Sequence, residues 1–353
     1  MSPLRHFTAA GVLFLGALFS LAAPANTEAP RAAYRGAIII DAATGHVLFE
    51  DNADVVSPPA SMAKLMTFAV LHDKFISGAL TLETPVTVAA ADSKIGGTQV
   101  WLKEKEIFPV EELLYAMMIQ SANDAAFALA RTAAGSVEAF TEQMNAKARD
   151  LGLTHTIFRT PHGLPPSSRR IAEGDLTTPR EFAILCQYLL RETDVTKYTS
   201  IRSRPFGASR PAGPVAMNNH NYLLGKVSGL DGLKTGFTKA AGFCLAATAE
   251  RNNRRIIVVV MGSPDSKTRD FKVADLIERG FAALPVMTTI KTNPPSVTPP
   301  PKPAATSAAP AVKNLIPTVT TDKSAPPATA AFPASTTKEP SVIFRVIPPE
   351  KKP

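Results

Sequence analysis

Cysteine is almost absent from this chain: 353 residues contain two, Cys186 and Cys244. One lies in "EFAILCQYLL", which has helical spacing, and the other in "GFCLAATA", which has strand character. Apolar neighbours on both sides argue for two buried free thiols rather than a bridge, and two cysteines cannot build a disulfide framework. The six histidines form no cluster with cysteine, so no metal site or other cofactor is expected. Long apolar runs are missing after the first 25 residues, which excludes a later membrane-spanning helix. The net charge of +8 allows an anionic partner such as a wall polymer, a membrane surface or nucleic acid. Much of that excess sits in the C-terminal segment, so charge is a weak guide to function.

What is present begins at the N-terminus. Arg5 and His6 precede "FTAAGVLFLGALFSLAA", and the small-residue site Ala23-Pro24-Ala25 follows. This is the layout of a secretory signal peptide over residues 1–25, with an uncleaved anchor as the rival reading. No cysteine follows the apolar stretch, which argues against a lipid anchor there. From about residue 286 to 353 the chain turns rich in Pro, Ala, Ser and Thr and loses apolar periodicity, so an extended, disordered tail is expected. Within it, "VIFRVI" (342–347) is the one apolar patch.

Residues 26–285 carry the signals of a mixed α/β domain. "GAIIIDAATGHVLFEDN" reads as two strands around a turn. "MAKLMTFAVLHDKFI", "VEELLYAMMI", "NDAAFALARTAA" and "VEAFTEQMNAKARDLG" repeat apolar residues at helical spacing. "PREFAILCQYLLRE" is a further helix with Pro179 in its first turn. "GFCLAATAE" and "RRIIVVVMG" read as adjacent strands joined at "RNN", followed by a closing helix in "SKTRDFKVADLIERGFAAL". Strands at both ends and helices between predict one sheet built from the two ends of the domain, with the middle helices forming a second lobe.

Chemistry concentrates first in "PPASMAKLMT". Ser61 suits a helix cap, but a capping box would place Glu or Gln three residues on, and Lys64 stands there instead. A cation in the first turn faces the positive end of the helix dipole, at a cost of some tenths of a kcal/mol. Residues three apart share a helix face, so the amine can reach the serine hydroxyl. The same dipole, with burial, lowers the lysine pKa and favours a neutral amine able to accept a proton. Spacing alone is a weak signal, because the tail holds a second such pair, Ser335 and Lys338 in "STTK". Two further sets supply the context: Ser121 and Asn123 in "IQSANDAA", between two helical patterns, and Lys234-Thr235-Gly236 in "LDGLKTGFT", on a strand after an aspartate–glycine turn. Ser61, Ser121 and Lys234 stand 60 and then 113 positions apart.

Ser-x-x-Lys, Ser-x-Asn and Lys-Thr-Gly in this order resemble the penicillin-recognising serine enzymes. "PASMAKLMT", "SANDAA", "LGLTHTIFRTPHGL", "LTTPREFA", "NNHNYLL" and "LDGLKTGFT" make the chain most similar to the low-molecular-mass penicillin-binding D-alanyl-D-alanine carboxypeptidases, over roughly residues 34–284. The resemblance implies a β-lactamase/DD-peptidase-like mixed α+β fold, an antiparallel sheet flanked by helices plus a helical lobe, with the site between them. It implies an acyl-enzyme on Ser61, with Lys64 as base and Ser121 relaying protons to the leaving amine. Lys234 would hold that network electrostatically and Asn123 would orient Lys64 and the substrate amide. Thr235 would bind the terminal carboxylate, Gly236 would let the strand approach the substrate, and Phe237 and Ser61 would give oxyanion N–H groups. Arg269 stands where the family often carries a basic residue for that carboxylate, with a solvated helix start as the equally weighted alternative. His220 reads as a surface or packing residue, and His162 in "PHGL" as a structural support of its loop.

The partners so implied are peptidoglycan stem peptides and β-lactams, with no nucleic acid, in the periplasm or cell envelope. Residues after 285 show neither the β-rich domain nor the amphipathic helix that many relatives carry, which leaves membrane association uncertain. An endopeptidase cutting D-alanyl crosslinks is the second reading. A β-lactamase is less favoured, because the second motif is Ser-Ala-Asn and no Glu-x-x-x-Asn segment stands between it and Lys-Thr-Gly. A non-catalytic wall-peptide-binding protein would not need both nucleophile and base.

Overall fold

The computed structural model describes residues 33–285. The expected signal peptide (1–25) and tail (286–353), with its "VIFRVI" patch and "STTK" pair, lie outside the described residues. In chain order the strands and helices are β1 (Gly36–Asp41), β2 (Val47–Asp51), α1 (Lys64–Ile76), β3 (Pro85–Thr87), β4 (Ile107–Pro109) and α2 (Val110–Tyr115). Then come α3 (Asn123–Ala134), α4 (Val137–Asp150), α5 (Pro179–Glu192), α6 (Thr196–Thr199), β5 (Ser203–Phe206) and β6 (Val215–Asn218). The series closes with β7 (Leu230–Thr238), β8 (Gly242–Arg251), β9 (Arg254–Ser263) and α7 (Ser266–Ala283).

One antiparallel sheet takes its strands from both ends of this region, in the order β2-β1-β9-β8-β7. The apolar run in β9 is explained by burial on both faces. Ile256, Val258 and Val260 join Val273, Leu276 and Ile277 of α7 in one core, while Ile257, Val259 and Met261 face the other way. Side chains alternate along a strand, so a doubly covered strand reads as continuously hydrophobic. The β8–β9 connection is tight because Asn252 and Asn253 both take positive φ, 51° and 57°, which suits a two-residue hairpin turn.

The second core continues from the sheet into the helical lobe, where α1 is buried from Lys64 to Leu71 and packs against α3, α4 and α5. Local chemistry sets the helix starts. Thr178 accepts from the Glu181 N–H at 3.1 Å, just before Pro179, and Asp265 accepts from the Thr268 N–H at 2.8 Å. Cys186 and Cys244 are both buried and free.

Two expectations need correction. Asp231-Gly232 is not a turn before the strand but lies inside β7, at an irregularity in its pairing with β8 between Leu230 and Gly232. The "VEELLYAMMI" helix does not run on as one α-helix, because Ala116–Gln120 is a π-helical turn. The short ribbons β3–β4 and β5–β6 were not anticipated, since three- and four-residue strands give too little alternation to register.

Candidate active site

Ser61 does not cap a helix. It sits inside a single 3-10 turn, Ala60–Ala63, whose preceding residue makes no side-chain cap bond, and α1 begins at Lys64. Two neighbours clamp this turn. A Cβ on Gly236 would stand 2.5 Å from the Pro59 carbonyl oxygen, so β7 can lie against the turn only with glycine there. Gly236 thus lets the strand meet the turn, and it also lines the cleft beside Ser61. On the opposite side Gly163, at φ +83°, presses onto the Ala60 carbonyl, where any Cβ would overlap it.

Lys64 is fully buried, and its Nζ reaches three acceptors. These are Ser61 Oγ at 3.2 Å, Asn123 Oδ1 at 2.6 Å and the His162 carbonyl at 2.7 Å. Burial first, and then the charge of Lys234, pushes its pKa well below the ordinary lysine value, while Asp175 and Asp124 pull the other way. Asn123, the first residue of α3, is fixed at both ends: its Nδ2 donates to the Gly96 carbonyl at 2.8 Å and its backbone N–H to Thr98 at 2.8 Å. Its carbonyl is thereby turned toward Lys64. Ser121 closes the π-helical turn in a left-handed conformation, φ 64°, a position where non-glycine residues carry strain and which often marks functional sites.

The sequence offered no sign that the His162 carbonyl would be a partner of Lys64. The loop presenting it is braced by Asp175, which accepts from the Arg159 N–H at 2.6 Å, the Thr160 N–H at 3.0 Å and Thr160 Oγ1 at 2.8 Å. Thr67 of α1 adds a bond to the Pro161 carbonyl at 2.6 Å. Burial raises the Asp175 carboxyl to about 6. "PHGL" reads as a structured loop, but a backbone acceptor leaves no trace in residue type.

Across the turn, Lys234 is buried on β7 and its pKa falls to about 7, through burial and then the charge of Arg269. Its Nζ donates to the Thr235 carbonyl at 3.2 Å. Among the described residues no direct hydrogen bond joins Lys234 to Ser121, so the structure brings them to one site without linking them. Arg269 is 3% exposed, which removes the solvated-helix alternative, and it pairs with Asp270 at 2.7 Å. Ser61, Ser121, Thr235, Phe237, Arg269 and His220 line one cleft of about 340 Å³. Phe237 is half exposed and stacks on Phe243, giving the cleft an apolar wall. His220 lines the cleft; burial and the cations Lys234, Lys64 and Arg269 hold its pKa down at about 4.

A serine hydroxyl on a buried amine, with a polar cleft above both, is the equipment for acyl transfer. Residues 23–265 match the family model described as D-alanyl-D-alanine carboxypeptidase, peptidase family S11. The chain belongs to this family. It is 33% identical over 248 residues to D-alanyl-D-alanine carboxypeptidase DacF of Bacillus subtilis, covering 70% of this chain and 62% of that one. To DacC of Escherichia coli it is 35% identical over 305 residues, covering 84% and 74%. Among solved structures, ampicillin-bound penicillin-binding protein D2 from Listeria monocytogenes superposes with a TM-score of 0.63 at 29% identity, covering 70% of this chain and 97% of that one. The sheet and helical lobe are therefore the DD-peptidase fold of this family. The chain spans just under two thirds of the Bacillus relative's length.

Proposed function

We propose that this family member is a serine D-alanyl-D-alanine carboxypeptidase acting on peptidoglycan stem peptides, and that β-lactams acylate the same serine. The observation that carries this reading is the buried Lys64 amine, 3.2 Å from Ser61 Oγ and aimed by Asn123 and the His162 carbonyl. As a neutral amine it takes the Ser61 proton while the oxygen attacks the carbonyl between two D-alanines. The N–H groups of Ser61 and Phe237 receive the oxyanion; β7 is an edge strand, so alternate N–H groups along it point away from β8. Ser121 passes a proton to the departing amine, D-alanine leaves, and water hydrolyses the ester. Lys234, Thr235 and Arg269 hold the terminal carboxylate. The N-terminal segment would export the protein to the periplasm or cell envelope. No helix among the described residues is long and apolar enough to cross a membrane.

Labelling with a fluorescent penicillin, read by intact mass, tests the chemistry. One adduct at Ser61 is expected, with none on Ser61→Ala, and turnover of that variant should fall roughly 10⁶-fold. A folded parent that never gains the adduct refutes the reading, and rapid loss of the adduct would indicate a β-lactamase. D-alanine release from a stem pentapeptide should outpace cleavage of a crosslinked dimer; the reverse order would assign an endopeptidase.

Arg269→Gln should lower kcat/KM by about 10- to 100-fold, chiefly through KM, because a charge-assisted bond to the carboxylate is lost. Arg269 also depresses Lys234, so Lys234 should stay protonated to higher pH in this variant, moving the alkaline limb of the profile upward. A profile identical in shape to the parent's would exclude that coupling.

A further inference from the structure

A groove of about 890 Å³ lies beside the Ser61 cleft, and the two share Tyr222. Arg202 and Lys226 line it together with Asn218, Asn219 and Asn221, and no acidic side chain does. Both cations are exposed, so nothing inside the groove neutralises them.

Its floor is preformed. Asn219 Nδ2 donates to the Thr199 and Ile201 carbonyls, both at 3.0 Å, and Asn221 Nδ2 donates to Gly232 of β7 at 3.2 Å. The Asn218 N–H donates to Gln120 Oε1 at 3.0 Å, and Gln120 immediately precedes Ser121. An occupant would therefore rest on the supports of both Ser121 and β7. The mechanism gives this groove no task.

We propose that the groove is a second subsite, binding a carboxylate-bearing stem peptide from a neighbouring strand of the same polymer while the first is cut. Cations without acidic neighbours favour carboxylates, the exposed Asn218 amide and Tyr222 suit a peptide backbone, and adjacency to the cleft ties the occupant to the substrate polymer. This rests on the peptidase reading for its choice of peptide.

The test titrates a soluble stem tetrapeptide into protein whose Ser61 is already blocked by penicillin, following the amide signals of Arg202 and Lys226. Binding is expected to survive the block and to weaken with salt. Arg202→Glu combined with Lys226→Glu should weaken it about tenfold, because two attractive contacts are lost and two repulsive ones replace them. The milder Arg202→Gln with Lys226→Gln should act in the same direction and guards against misfolding. D-alanine release from a short blocked peptide should stay within about twofold of the parent in either variant, because neither residue touches the reacting bond. The proposal is overturned if blocking Ser61 abolishes tetrapeptide binding, if charge reversal leaves it unchanged, or if inorganic phosphate binds there and the tetrapeptide does not. A protein that penicillin never acylates would refute the peptidase reading instead. The same titration on unblocked protein, read at Arg202 and Lys226, would then still decide the groove.

Discussion

Lys234→Met is expected to unfold at a higher temperature than the parent at pH 6, and to lose that advantage as the pH approaches 10. Lys234 is buried, and its pKa falls from 10.5 to about 7, so the fold disfavours the ammonium that the unfolded chain holds freely. The penalty is fully present below pH 7, where both states are protonated. It fades between 7 and 10.5, where the unfolded chain alone still carries the proton, and is gone above. A shift of that size corresponds to about 5 kcal/mol at its fullest. Methionine forfeits one hydrogen bond, to the Thr235 carbonyl, worth about 1 kcal/mol. A net gain of about 2–4 kcal/mol at pH 6 follows, or several degrees in Tm. Thermal melts from pH 6 to 10 check it, and parallel curves for parent and variant would refute it. The same variant should acylate with penicillin about 10²–10³-fold more slowly, since a charge aimed at the substrate is gone. Lys234 also depresses Lys64, so the acidic limb of the acylation profile should move to higher pH. Stability gained where activity is lost is what a site built on two buried lysines implies.

Lys64 shows how far the sequence could be read. Its place in the first turn conflicts with the helix dipole, and that conflict marked the residue before any geometry was known. Helical spacing gave α1, α3, α4 and α5, and unbroken apolar runs gave β8 and β9, because side-chain burial itself writes those patterns. What escaped was carried by the backbone. The 3-10 turn around Ser61 and the π-helical turn before Ser121 differ from α-helix in hydrogen-bond register, which apolar periodicity barely senses. The His162 carbonyl is an acceptor that every residue type possesses. Arg269 was ambiguous because "SKTRD" suits an exposed helix start, and only the packing of α7 on β8 and β9 buries it.

Gly163→Ala should be among the most damaging single substitutions outside the motifs. The residue sits at φ +83°, which costs alanine about 1 kcal/mol, and its Cβ would overlap the Ala60 carbonyl beside Ser61. Backbone cannot yield as a flexible side chain does, so either the 3-10 turn or the 160–164 loop must move. Thr160 Oγ1 holds the Gly163 N–H at 2.8 Å and is itself held by Asp175, which makes the loop stiff. A loss of about 3 kcal/mol or more in stability is expected, by denaturant titration. The more telling effect is on the chemistry. Moving the loop shifts the His162 carbonyl away from Lys64 Nζ, and moving the turn shifts Ser61 Oγ; each loosens one of the three bonds that aim the amine. Misplacement by about 1 Å can cost about 10²-fold, so the acylation rate of the folded variant should drop by that order. A variant that is destabilised yet acylates at the parental rate would show that the His162 carbonyl does not position the base.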